Sequence, residues 1–356
     1  MQAYHDCRRN KRGSASALAF EYELERNIMQ LHTELNAGTW QPGPSICFVV
    51  THPKPREVWA ASFPDRIVHH LLYNHVGARI ERSFIADSCA CIPQRGTLYA
   101  AERLERKARS ITQNWRGPAR YLQCDLANFF VSIDKHVLAE LLRRAIPEQP
   151  WQALALQILW HDPRENYQLR SPARLLNRVP QHKRLTAQPA HLGLPIGNLS
   201  SQFFANIYLN VLDQFIKHRL RVRHYIRYVD DFVLLHESAQ QLNTWHDQIE
   251  AFLAEQLHAR LNPSKTIRQP VQRGIDFVGQ LIKPHHRITR RRTVATALRR
   301  VASAPAENLR DTANSYYGLL RQATHSQTDR RHLTKALLLR GRTVDLGMTK
   351  TFKGAA

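Results

Sequence analysis

Apolar residues recur at helical spacing from Ala17 to Leu35, where Leu18, Tyr22, Leu24, Ile28, Leu31 and Leu35 fall three or four positions apart, and Gly38 stands where such a helix would stop. One amphipathic helix is predicted there. Ser45 to Val50 is β-prone and leads into Pro53-Lys54-Pro55-Arg56-Glu57-Val58-Trp59, whose prolines bar a helix and present Lys54 and Arg56 on a hairpin-like loop. The helical period returns from Asp65 to Ile80, with Ile67, Leu71, Leu72 and Val76 on its apolar side. It gives way from Ser83 to Gly96 to a strand-and-turn region ending in Gln94-Arg95-Gly96-Thr97, and resumes from Ala100 to Ser110.

Further on, a short strand, Tyr121 to Asp125, ends in an acid, and a helix is predicted to follow it through Phe129-Phe130 toward Ile146. Residues 161 to 191 are rich in Arg, Pro, Gln and His without periodicity and read as an inserted basic loop or a surface excursion. Gly193 to Lys217 begins as a turn and becomes a helix with Phe204, Ile207, Tyr208, Val211, Leu212 and Phe215 on one face and a polar face opposite. Tyr225 to Leu235 places two β-prone arms around Asp230-Asp231, the pattern of a hairpin with carboxylates at its tip. A helix from about Gln240 to Leu257, a β-rich segment from Gly274 to Ile282 and a helical, Arg-studded remainder from Arg290 to Lys353 complete the pattern.

Charge changes the picture more than composition does. The 43 % hydrophobic content is that of an ordinary globular chain, but 51 Lys+Arg against 29 Asp+Glu leave a net charge of +22, which a polyanion would reward. Nucleic acid leads over anionic membrane, because the cations are spread along the chain and no apolar run approaches ~20 residues. Five cysteines, Cys7, Cys47, Cys89, Cys91 and Cys124, lack the paired spacing of a zinc site and read as reduced thiols. The polar N-terminus is no signal peptide, so a cytoplasmic protein is expected.

Nucleotide phosphoryl transfer uses two divalent cations about 3.5–4 Å apart, so several carboxylates must converge. Asp125 and the Asp230-Asp231 pair would supply them if their strand and hairpin shared one antiparallel sheet. An Asp-Asp dipeptide alone reads as a solvated turn, but the apolar arms around this one argue for deliberate placement.

Tyr228-Val229-Asp230-Asp231 resembles the YxDD signature of reverse transcriptases, and Asp125 with Phe129-Phe130 resembles their first palm motif. Gly193-Leu194-Pro195-Ile196-Gly197-Asn198-Leu199-Ser200-Ser201-Gln202 is similar to the motif that lies against template and incoming nucleotide. Lys265 in Asn262 to Thr266 is similar to the later palm lysine, and Gly274 to Gly279 to the primer-grip hairpin. The ordered motifs run from roughly Lys54 to Gly279.

The resemblance implies an α+β right-hand polymerase: fingers within 1–118, an antiparallel-sheet palm within 119–285 and a helical basic thumb within 286–356. It implies that Asp125, Asp230 and Asp231 hold two Mg²⁺ ions, with Mn²⁺ a substitute, and that Lys54 and Arg56 clamp the triphosphate or else form a solvated basic loop. Phe130 would exclude a 2′-hydroxyl, with Phe129 in the core. Ile196, Gly197 and Gln202 would face the nucleotide. Lys265 would protonate pyrophosphate or be a surface lysine. Arg95, Gly96, Tyr228 and Gly279 would touch nucleic acid, while Arg290, Arg291 and Arg292 with Arg299 and Arg300 would grip the duplex or form a solvated run.

Ile196-Gly197 at the start and Ser201-Gln202 at the end are similar to diversity-generating retroelement reverse transcriptases, where most other members carry Gln first and Pro last. An apolar Ile196 would give up a polar restraint on base and sugar, which predicts error-prone copying. The implied partners are an RNA template, an RNA/DNA primer duplex, dNTPs, a small basic accessory protein and a structured cognate RNA. Other readings are an orphan or phage-defence reverse transcriptase, an RNA-dependent RNA polymerase and a non-catalytic RNA-binding scaffold.

Overall fold

Helices α1 (Gln2–Arg8), α2 (Ala15–Tyr22) and α3 (Leu24–Asn36) open the chain. In the computed structural model, which describes residues 1–9, 13–52 and 54–352, the chain divides into two compact units. The first comprises Met1–Cys91, Asp125–Arg221 and Asp247–Ser264; the second comprises Ile92–Cys124, Val222–His246 and Lys265–Ala356.

The single helix expected from Ala17 to Leu35 is two, because Glu23 leaves helical geometry at φ −124°, ψ 50°. The break rotates the apolar stripe: Leu18 and Tyr22 are left exposed, while Ala17, Phe20 and Leu31 are buried. They join Tyr4 of α1 and Phe63, Ile67 and Val68 of α4 (Phe63–Glu81) in one core cluster, with Phe20 and Phe63 ring centroids 5.3 Å apart. Gly38, at φ +68°, follows α3 as expected.

β1 (Ser45–Val50) and β2 (Arg56–Ala60) pair antiparallel as the expected hairpin, with Val50 opposite Arg56; Pro53 lies outside the described residues. The predicted strand between Ser83 and Gly96 does not form; apart from a single bridge residue, Ser88, that stretch is turns and bends.

The helix predicted to run to Ile146 is also broken. A short α6 (Phe129–Ser132) ends before Asp134, whose carboxylate caps α7 (Lys135–Ala145) by accepting from His136 N at 2.8 Å and Val137 N at 3.3 Å. Helix α8 (Gln149–Trp160) packs beside α4, and Ile158 and Leu154 join the same core.

Residues 161 to 191 are structured, contrary to the expected loop. β4 (Tyr167–Leu169) pairs parallel to β1, Ser45 opposite Tyr167, so the sheet runs β2-β1-β4; α9 (Ala173–Leu176) and two 3₁₀ turns follow. Val179 and Leu185 are buried. Helix α10 (Leu199–Gln214) is buried nearly all round: its supposed polar face hides Asn206, which donates to Ala90 O at 2.9 Å, and Asp213.

The second unit holds α5 (Thr97–Ile111), β3 (Arg120–Asp125, its last residue belonging to the first unit), β5 (His224–Tyr228), β6 (Asp231–His236) and β7 (Ile267–Pro270). These strands form a sheet ordered β5-β6-β3-β7, with β5–β6 and β3–β7 antiparallel. A second antiparallel sheet joins β8 (Ile275–Phe277), β9 (Gln280–Lys283) and β10 (His286–Thr289). Helix α11 (Ala239–Leu257) passes from this unit to the other. The C-terminal helices α12 (Arg291–Ser303), α13 (Ala306–Leu320) and α14 (Gln327–Leu338) bury Val301, Leu309, Tyr317 and Leu333 in a cluster of their own. The fold is thus mixed, with antiparallel sheets and helices. Among the described residues no helix is long and apolar enough to cross a membrane.

Candidate active site

In the second unit the acidic dipeptide sits where the sequence predicts, on a two-residue connection. Tyr228 pairs with Asp231 across the β5–β6 ladder, so Val229 and Asp230 make the turn. Val229 has φ +55°, a left-handed conformation that costs a β-branched residue energy and persists only where its surroundings fix it. Arg227 supplies part of that fixation: 1 % exposed, it donates from Nη1 to Val229 O at 3.0 Å.

Asp231 is held from the neighbouring strand. Gln123 Nε2 donates to Asp231 Oδ1 at 3.0 Å and Oδ2 at 3.2 Å, and to Asp276 O at 3.2 Å, which ties β3, the hairpin and β8 together. Gln123 Oε1 is buried and has no hydrogen-bond partner among the described residues. Neither Gln123 nor Arg227 stood out in the sequence as functional. The available signal was a long polar side chain inside an otherwise apolar strand.

Asp125 ends β3 and is nearly buried. In the first unit, Asn262 donates from its backbone N to Asp125 O at 2.8 Å and from Nδ2 to Asp125 Oδ1 at 3.4 Å. In the sequence Asn262 is visible only as the first residue of the segment that carries Lys265. Lys265 itself is exposed at the end of a 3₁₀ turn.

The Gly193–Gln202 loop is clamped on both sides within the first unit. Gly193 N donates to Ile133 O at 2.8 Å and Leu194 N to Phe130 O at 2.7 Å; on the other side Trp59 N donates to Ile196 O at 2.7 Å and Ala61 N to Asn198 Oδ1 at 3.0 Å. Gly197 is required by shape: at φ +127°, an added Cβ would meet Val58 Cγ1 at 2.8 Å and Trp59 O at 3.0 Å. Ile196 is half-buried, and Gly197 and Gln202 are exposed. Beneath the loop, Ser200 Oγ lies 3.4 Å from His69 Nδ1, and burial pushes the His69 imidazole down to about 3.

Phe129 is buried and packs at 5.3 Å from Phe130, which keeps part of its ring exposed. Lys54 and Arg56 are exposed at the β1–β2 connection. In the second unit, Gly96 precedes α5 and Arg95 is half-buried. Val278 (φ +45°) and Gly279 (φ +89°) form the tight β8–β9 turn. Arg290 is engaged by an ion pair with Asp276, whereas Arg291, Arg292, Arg299 and Arg300 are exposed.

Among the described residues no group of three or more His, Cys, Asp or Glu side chains gathers as a metal site. Donor chemistry still matches a hard divalent cation, since Asp125, Asp230 and Asp231 offer only oxygen ligands.

The family model described as "Reverse transcriptase (RNA-dependent DNA polymerase)" matches residues 56–282, and the chain belongs to that family. It is 24 % identical over 346 residues to Protein YkfC of Escherichia coli (strain K12), covering 87 % of this chain and 82 % of that protein. Similar solved structures include telomerase from Candida albicans in complex with a fragment of telomeric RNA (15 % identity, 88 % of this chain, 60 % of that one, TM-score 0.46). Apo telomerase from Candida tropicalis is another (12 % identity, 84 % and 59 % coverage, TM-score 0.49). The chain therefore spans about 60 % of the length of those structures.

Proposed function

We propose that this chain is an active RNA-directed DNA polymerase in which Asp125, Asp230 and Asp231 carry the chemistry. The observation that supports this most directly is the left-handed Val229 turn, held by the buried Arg227, because a strained turn persists where it delivers a functional group. Bound Mg²⁺, held by the three carboxylates, would activate the primer 3′-hydroxyl and offset charge on the triphosphate. Gln123 fixes the orientation of Asp231, and Asn262 that of Asp125. Lys54 and Arg56 meet the triphosphate, Arg56 with a fork that matches phosphate oxygens. Phe130 faces the sugar and disfavours a 2′-hydroxyl, and Lys265 protonates the leaving pyrophosphate. Arg95, Gly96, Tyr228, Gly279, Arg291 and Arg292 contact template and primer, within a fingers, palm and thumb arrangement in the cytoplasm.

The finer reading is a diversity-generating retroelement enzyme that copies its template with errors, aided by a structured cognate RNA and a small basic accessory protein. Ile196 supports it: its backbone O accepts from Trp59 N, and its apolar side chain offers the incoming nucleotide no hydrogen bond. The test is primer extension on an RNA template with Mg²⁺ and dNTPs, wild type beside Asp230→Asn, with the products sequenced. DNA from wild type alone, with errors opposite adenines, is the expected result. Accurate DNA would overturn the retroelement reading in favour of an orphan or defence enzyme. DNA from neither protein, even with cognate RNA and neighbouring proteins added, would leave a scaffold.

A further inference from the structure

We infer that the β4–α9 extension carries a binding surface for an unpaired RNA strand, continuous with the cations at the β1–β2 connection. The inference rests on the polymerase reading for its biological sense but not for its observations.

The sequence contains no Asp or Glu from Asn166 to Leu212. The acids nearest that run are turned inward. Asp162 holds Arg164, whose Nη1 also donates to Gln188 O at 2.5 Å, and Glu57 accepts from Trp59 Nε1, Leu185 N and Thr186 Oγ. Only Glu165 stands exposed at the root of the extension. Arg184 is likewise used internally, donating to Val179 O at 2.8 Å.

The remaining cations have no such task. Arg170, Arg174, Arg178 and Lys183 are exposed and make no ion pair or side-chain hydrogen bond with the described residues. Arg174 and Arg178 lie one helical turn apart, because the chain keeps turning beyond α9 with Arg178 N donating to Leu175 O at 3.1 Å. A solvated face usually interleaves signs, whereas these four exposed cations follow one another along a stretch whose sequence carries no acid.

Register joins this face to the nucleotide-facing loop. Arg170 N donates to Cys47 O and Ser171 Oγ accepts from Val49 N, so the extension runs beside β1 one residue short of the Val50–Arg56 pair. Lys54 and Arg56 thus share a sheet end with Arg170. Tyr167 and Leu169, 40 % and 38 % exposed, lie on one side of the edge strand β4, and Tyr167 stands on Trp59 with ring centroids 4.9 Å apart. Exposed aromatic and apolar side chains on the edge strand that leads into Arg170 suit splayed bases, with the cations beyond them for the phosphates, more than a closed duplex, whose bases are already stacked.

The test measures binding of a fluorescent unstructured RNA 15-mer and of a duplex RNA of equal length, without dNTPs, over a salt series. It compares wild type, Arg170→Ala/Arg174→Ala/Arg178→Ala/Lys183→Ala, and Tyr167→Ala. The fourfold variant should bind the single strand at least tenfold more weakly, with a salt slope smaller by about 3, at about 0.7 per phosphate lost. Tyr167→Ala should weaken it about fivefold or more with the slope unchanged. Duplex binding should change by less than threefold. Unchanged single-strand binding, or equal losses on both RNAs, would overturn the inference. Should the fourfold variant melt early, Arg170→Lys/Arg174→Lys/Arg178→Lys must keep the wild-type slope and the single Arg→Ala changes must each lower it. Primer extension by wild type is scored separately, so failure of the polymerase reading shows there and not in this assay.

Discussion

The acidic turn and the β4–α9 extension solve opposite problems with the same residue type. At the turn, one arginine is buried and its guanidinium serves a backbone carbonyl, so that a β-branched residue stays in a conformation it would otherwise avoid. On the extension, Arg170, Arg174 and Arg178 stand in water and make no ion pair or side-chain hydrogen bond with the described residues. Burial makes a cation into scaffolding, because its desolvation must be repaid by fixed hydrogen bonds, whereas exposure leaves it ready for a partner from solution. Chemistry at the turn should therefore be sensitive to geometry, and binding at the extension to salt.

The largest effect should come from Asp230→Asn, which keeps the shape of the turn but removes a charge. DNA synthesis should fall by about 10³-fold or more while RNA affinity stays within roughly twofold, measured by primer extension and anisotropy. Arg227→Lys should come next, lowering kcat by roughly 10- to 100-fold with little change in the KM for dNTP, since a point charge cannot hold the carbonyl as a planar fork does. Adding Val229→Gly should restore part of that loss, because glycine enters the left-handed region freely. No recovery would mean that Arg227 acts elsewhere.

Gly197→Ala should destabilise the protein by roughly 3 kcal/mol, read as a lowered denaturant midpoint, because its Cβ would run into Val58 and the Trp59 carbonyl of β2 and its φ suits only glycine. The smallest effect concerns acid. His69 is neutral when folded and titrates near its ordinary value when unfolded, so the unfolded chain binds more protons between about pH 3 and 6.5. Stability therefore falls as pH drops through that window, by about 2 kcal/mol from pH 7 to pH 5 from this group. His69→Gln should remove that part of the slope.

Local signals were the legible ones. The β1–β2 and β5–β6 hairpins, α4, α5 and α11 follow from periodicity and turn residues, and so did the position of Asp230-Asp231. What escaped was set by distance or by capping. β4 pairs with a strand more than a hundred residues earlier, and no local pattern marks three exposed residues as a strand. Asp134 ends one helix and starts another through hydrogen bonds that a hydrophobic period does not register. Helix α10 looked amphipathic because Asn206 and Asp213 are polar, yet both are buried. The supporting side chains Gln123, Arg227 and Asn262 escaped for a related reason: their role lies in partners found only after folding.

Glu57 has a consequence beyond packing. One carboxylate receives donors from its own strand and from two residues more than a hundred positions later, so the β1–β2 hairpin and the extension should open as one cooperative segment. In native-state hydrogen exchange, the amides of Trp59 and Leu185 would then share an opening free energy, and Glu57→Gln would lower both together.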